Sequence, residues 1–167
     1  MAKQVYMGRN VALFIMLLFS FLVTHAQKPE AKPLAPFDIT LINNKNFRAF
    51  ELKKTEPVML VYFSPDCDHC KELTKEILKS AKTFGSKQLV MVTYFPIADV
   101  KKFANDLSIQ NYPNIKVGTE GRTLVVQKHY NIRTFPFVAL YNKSGKLSKM
   151  FREQAPPKDI VKAMQQL

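Results

Sequence analysis

Residues 58–78 read VMLVYFSPDCDHCKELTKEIL, and along them the period of the chain changes. The first six, VMLVYF, are a continuous apolar run rich in strand formers, which predicts a strand buried on both faces. After them Leu73, Ile77, Leu78 and Ala81 recur at three and four residues, with Lys and Glu between, until Gly85. That spacing predicts a helix of about four turns, with one face turned to a core. Cys67 and Cys70, the two cysteines of the chain, stand where strand gives way to helix.

A disulfide between them would close a loop of two residues and remove little entropy from the unfolded chain, because that stabilisation grows with loop length. The spacing therefore argues for chemistry rather than for a staple. The first turn of a helix aims unpaired N–H groups and the positive end of the helix dipole at whatever sits there, which favours a thiolate. Cys67 is thus the candidate nucleophile. Cys70, one turn on, lies on the same face within bridging reach and can attack a mixed disulfide formed at Cys67. His69 in its protonated form adds to the positive field at Cys67, and Asp66 and Asp68 oppose it, so these three are candidates for tuning the thiol.

Outward from this centre, residues 89–95 (LVMVTYF) predict a second buried strand, and a helix opening at Asp99 carries Val100, Phe103, Ala104 and Leu107 on one face. Strand, helix, strand, helix in succession predicts parallel neighbouring strands with right-handed crossovers. Upstream, residues 37–42 read as a short strand and residues 45–54 as a helix. Downstream, residues 114–117 read as a short strand, 121–130 as a helix and 137–141 as a strand. A tight turn at 142–145 leads to an antiparallel partner at 146–151, and a closing helix spans 158–167.

The first 26 residues have the layout of a secretory signal peptide: Lys3 and Arg9 without an acid, an apolar run at 11–23, and short residues before a cut after Ala26. The apolar run falls short of the roughly 20 residues of a comfortable span. The expectation is a periplasmic or secreted protein, and the alternative is an anchor formed by residues 11–23. Residues 27–36, with prolines at 29, 33 and 36, read as an extended linker, and 37–167 as one domain.

The strand, the C-x-x-C at a helix start and a distant proline before a strand and hairpin resemble the thioredoxin superfamily. "LVYFSPDCDHCK" matches its strand and active-site turn, and "HYNIRTFPFVALYNKSGKL" its cis-proline segment and hairpin. The extra "YPNIKVGTEGRTLVVQKHYNI" is similar to the insertion of exported TlpA/ResA-like members. The resemblance implies an α/β thioredoxin-like fold, a central mixed β-sheet flanked by helices, with an inserted element before the cis-proline. It implies that Pro136 is that proline, packed against the Cys67 sulfur, and that Thr134 and Phe135 line a groove for substrate backbone. It further implies a monomeric thiol-disulfide oxidoreductase without a cofactor, whose partners are client proteins with thiols or disulfides and a redox partner that recycles the pair. Two positions depart from the superfamily's pattern: Val61 stands where a buried acid commonly serves the second cysteine, and Asp66 where a tryptophan precedes the first.

Other function classes weigh less. Zinc would need a second pair of ligands, and beyond residue 26 only His69 and His129 are histidines, with His129 reading as a surface or packing residue. The alternatives kept are a soft-metal Cu(I) chaperone using both thiolates and a non-catalytic peptide-binding module of the same fold. The net charge of +12 is spread in ones and twos, which argues against nucleic acid.

Overall fold

The computed structural model describes residues 32–152 and 155–167. The expected signal peptide and the alternative anchor lie outside the described residues. Among the described residues seven strands form one sheet: β1 Asp38–Leu41, β2 Asn46–Arg48, β3 Val58–Tyr62, β4 Gln88–Thr93, β5 Ile115–Thr119, β6 Phe137–Tyr141 and β7 Leu147–Phe151. Four helices of the described residues pack on it: α1 Asp68–Ser80, α2 Ile97–Asp106, α3 Val125–Tyr130 and α4 Pro157–Gln165. The strand order is β2-β1-β5-β4-β3-β6-β7. β3, β4 and β5 run parallel, and β6 returns antiparallel to β3, so the sheet is mixed and the fold is thioredoxin-like α/β.

The alternation of β3 explains its unbroken apolar run. Met59 and Val61 face a core shared with Leu73 and Ile77 of α1, Phe103 of α2 and Met164 of α4. Leu60 and Tyr62 face the opposite core, shared with Phe37, Val126 and Tyr130. A strand with helices on both faces has no wet side, so period two disappears from its sequence.

The expected helix at 45–54 is instead a hairpin arm and a single tight turn. Asn44 adopts φ 63°, and Asn43 Oδ1 accepts the Lys45 N–H at 3.0 Å, so the chain reverses directly after β1. β2 then pairs antiparallel with β1, with Arg48 Nε 3.0 Å from Asp38 Oδ2. A 3-10 turn follows at Ala49–Glu51. Phe47 packs on Phe37 across the hairpin while Phe50 is 72% exposed, so the apolar residues share no helical face.

The expected single helix at 121–130 is broken as well. Leu124 sits in the left-handed region at φ 52°, between a 3-10 turn at Gly121–Thr123 and α3. The part of 27–36 that is described, residues 32–36, forms neither helix nor strand and is held on the domain. Tyr141 Oη donates toward the carbonyls of Lys32 (3.2 Å) and Pro33 (3.0 Å), and the Ala35 N–H donates to Tyr130 Oη at 3.1 Å. His129 Nε2 lies 2.8 Å from the Pro33 carbonyl, so its contact is with this strap.

Candidate functional site: the Cys67–Cys70 turn

β3 ends at Tyr62, and residues 63–66 lead the chain to the start of α1. Phe63 anchors this turn in the core, its ring 4.7 Å from Phe103. Cys67 is the N-cap residue of α1, and its Sγ accepts the Cys70 N–H at 3.2 Å. The sulfur thus does what a Ser or Asp oxygen does at other helix starts, taking one of the unpaired donors of the first turn. Its second neighbour is the carbonyl of Phe135 at 3.8 Å. Both cysteines are free thiols, with Cys67 half-buried and Cys70 only 1% exposed.

This asymmetry sorts the two sulfurs. Burial pushes the Cys70 thiol well above its ordinary range; the hydrogen bond with Cys67 raises it further, while the Ser64 backbone and Lys71 pull the other way. Val61, where a carboxylate would be expected to help, is a core residue in the same cluster as Cys70. Cys70 is therefore held as a protonated thiol beneath Cys67.

The Phe135–Pro136 peptide bond is cis. Pro136 is buried, Phe135 half-buried and Thr134 exposed, so the segment rises from the core to the surface beside Cys67. Pro136 shares a hollow with His69, Glu72 and Leu73 of α1 and with residues 155–157. His69 lines that hollow rather than turning to a sulfur: its side chain is 57% exposed, with Nδ1 3.7 Å from Glu72 Oε2. Asp68 is still more exposed and pairs with Lys71 Nζ at 3.1 Å. Asp66 lies on the other side of the turn, in a hollow with Lys71, Lys75 and Lys102. The structure therefore gathers Cys67, Cys70, Phe135 and Pro136, while His69 turns to Glu72, Asp68 pairs with Lys71, and Asp66 lines a separate hollow.

One residue was missed by the sequence reading. Glu120, at the end of β5, is 4% exposed and accepts hydrogen bonds from Tyr62 Oη (2.6 Å), Val126 N (2.7 Å) and Gln127 N (3.4 Å). Burial, reinforced by this carboxylate, drives the Tyr62 hydroxyl far above its ordinary range, so it stays a donor. The only signal in the sequence is an acid directly after a β-rich run, followed by Gly121. Among the described residues no group of three or more His, Cys, Asp or Glu side chains is arranged to hold a metal ion.

Known proteins share this architecture. The thioredoxin-like domain family matches residues 45–167. Protein disulfide-isomerase A5 of Bos taurus is 24% identical over 119 residues, covering 67% of this chain and 23% of that protein. A protein disulfide-isomerase of Medicago sativa is 27% identical over 120 residues, covering 69% and 23%. The chain thus spans about a quarter of the length of these curated relatives. Among solved structures, a secreted Mycobacterium tuberculosis disulfide oxidoreductase homologous to E. coli DsbE superposes with TM-score 0.68 at 15% identity, over 79% of this chain and 96% of that one. An exposed lipoprotein thioredoxin of Streptococcus pneumoniae superposes with TM-score 0.63 at 22% identity, over 78% and 98%. With most of its length matched by the family and the fold shared with these structures, the chain belongs to the thioredoxin-like domain family.

Proposed function

We propose that this chain is an exported thiol-disulfide oxidoreductase in which Cys67 attacks and Cys70 resolves. The observation that carries the reading is the setting of the Cys67 sulfur: at a helix start, accepting the Cys70 N–H at 3.2 Å, and facing the Phe135 carbonyl at 3.8 Å. Acting as a reductant, the Cys67 thiolate attacks one sulfur of a client disulfide, forms a mixed disulfide and expels the other client sulfur as a thiolate. Cys70 then loses its proton to solvent and attacks Cys67 Sγ. The Cys67–Cys70 disulfide closes, the second client thiolate leaves, and two electrons have passed to the client. The reverse sequence oxidises a client dithiol.

Residues 134–136 form the rim on which a client backbone docks, and His69, Asp66 and Asp68 adjust the poise of the pair from outside. A second protein resets the pair after each turnover. Export rests on the layout of residues 1–26 and on the likeness to secreted and lipoprotein thioredoxin-like structures. Among the described residues no helix is long and apolar enough to cross a membrane.

Equilibration of the purified protein with glutathione buffers tests the reading. A single two-electron transition that Cys67→Ser abolishes is expected. A midpoint near the strongly oxidising end assigns disulfide donation, and one near that of a reducing thioredoxin assigns reduction. A pair that stays in one state across all buffers would refute the function.

A further inference from the structure

Glu120 is the one buried acid among the described residues, and nothing in the exchange reaction uses it directly. A carboxylate without water is costly unless its oxygens are bonded. Two of its three bonds, from Val126 and Gln127, satisfy the start of α3 after the break at Leu124. The third and shortest, from Tyr62 Oη at 2.6 Å, plays no part in capping. It crosses from the inserted element to the end of β3, five residues before the nucleophile.

The Tyr62 ring stacks on Phe135, with centroids 5.9 Å apart and planes 25° apart. Phe135 is half-buried, and its other aromatic neighbour, Tyr94 at 6.3 Å, is itself 37% exposed. Tyr62 is thus the firm side of the Phe135 setting, and the Phe135 carbonyl is the group that meets Cys67 Sγ. An acidic hydrogen bond, a ring stack and a backbone carbonyl form a continuous line from the inserted element to the reacting sulfur. A site keeps its geometry when the groups behind it are locked by packing and hydrogen bonds.

We propose that Glu120 is a positioning residue for thiol exchange: through Tyr62 it fixes Phe135 and thereby the rim beside Cys67 on which a client peptide lies. The inference rests on the exchange function proposed above. It gives the inserted element a catalytic purpose, since that element supplies the carboxylate that sets the rim.

The test compares Glu120→Gln, Tyr62→Phe and the double variant. Tyr62→Phe removes only the hydroxyl and keeps the ring, so it tests the link even where Glu120→Gln does not fold. Each protein, in the reduced form, reacts with a disulfide-linked peptide dimer and with dithiobis(nitrobenzoate), a disulfide too small to span the rim. The ratio of the two second-order rate constants is the readout, with thermal unfolding followed in parallel.

We expect each single variant to lower the peptide-to-small-disulfide ratio about three- to tenfold, as loss of a charge-assisted hydrogen bond would. The double variant should be no worse than the more affected single variant, because both break the same link. Lower unfolding temperatures with the ratio unchanged would overturn the inference and leave Glu120 a helix cap. A wild-type protein that reacts with neither disulfide would bring down the exchange function itself, and this inference with it.

Discussion

Among the described residues no acid shifts the Cys70 thiol, so in the proposed exchange its burial sets the pace of the second half-reaction. Because its thiol is pushed well above the ordinary value of 9.0, only a small fraction ionises near neutral pH. That fraction grows tenfold per pH unit as long as the pH stays below the raised value. The resolving step, followed by loss of a glutathione mixed disulfide at Cys67, should accelerate continuously from about pH 7 to about pH 9 with no plateau. A plateau within that window would show that another group accepts the Cys70 proton. His69 acts at longer range: solvated and 3.7 Å from Glu72, it offers Cys67 a weakened field. His69→Ala should therefore make the couple less oxidising, by tens of millivolts at most, in a glutathione titration. A shift of hundreds of millivolts, or one in the oxidising direction, would contradict this assignment.

At the scale of elements, the packing of β5 against β1 depends on an absent side chain. A Cβ at Gly118 would stand 2.5 Å from the Thr40 carbonyl oxygen and 3.2 Å from Leu41 Cα, both backbone atoms of the neighbouring strand. Gly118→Ala should cost about 1–3 kcal/mol in urea unfolding through overpacking; a neutral result would mean that β1 can move away freely. The same scale shows what the sequence made legible. The strand at 58–62, the helix after it, the parallel pair β3–β4 and the final hairpin were readable, because long apolar runs and helical periods are set by the cores they face. The cysteine pair was readable because its spacing has few other uses. The arm at 46–48 was not: Phe47, Phe50 and Leu52 suggested the apolar contacts of a helix, while the reversal was decided by the backbone of Asn44. Nor was the break at Leu124, which depends on a carboxylate four positions upstream capping the helix beyond it. Glu120 acquires its role only when the sheet brings β5 and β3 into reach of one carboxylate. Pairing across 58 residues leaves no local period to read.

For the molecule as a whole, Tyr130 and Tyr141 tie the start of the domain to α3 and β6, and the buried tyrosines give its stability a particular dependence on pH. Burial raises the hydroxyls of Tyr62, Tyr130 and Tyr141 above the ordinary 10.0, and Cys70 above 9.0. Each is held neutral in the fold, so the unfolded chain ionises first as pH rises. Their contribution is full below about pH 9 and is lost progressively above it. Unfolding temperatures measured between about pH 8 and pH 11 should hold level and then fall. Tyr141→Phe should soften that fall while lowering stability near neutrality, since its hydroxyl serves Tyr130 and the carbonyls of Lys32 and Pro33. A profile that is flat through pH 11 would mean that these hydroxyls are not shielded.

The central claim, that Cys67 attacks and Cys70 resolves, is tested most directly by trapping. Cys70→Ser and Cys67→Ser variants would be produced in cells, thiols blocked with acid and alkylating agent, and disulfide-linked species separated on non-reducing gels. Cys70→Ser should accumulate mixed disulfides with client proteins through Cys67, because nothing remains to release them. Cys67→Ser should accumulate almost none, its remaining thiol being buried beneath the helix start. Equal trapping by the two variants, or trapping by Cys67→Ser alone, would contradict the account.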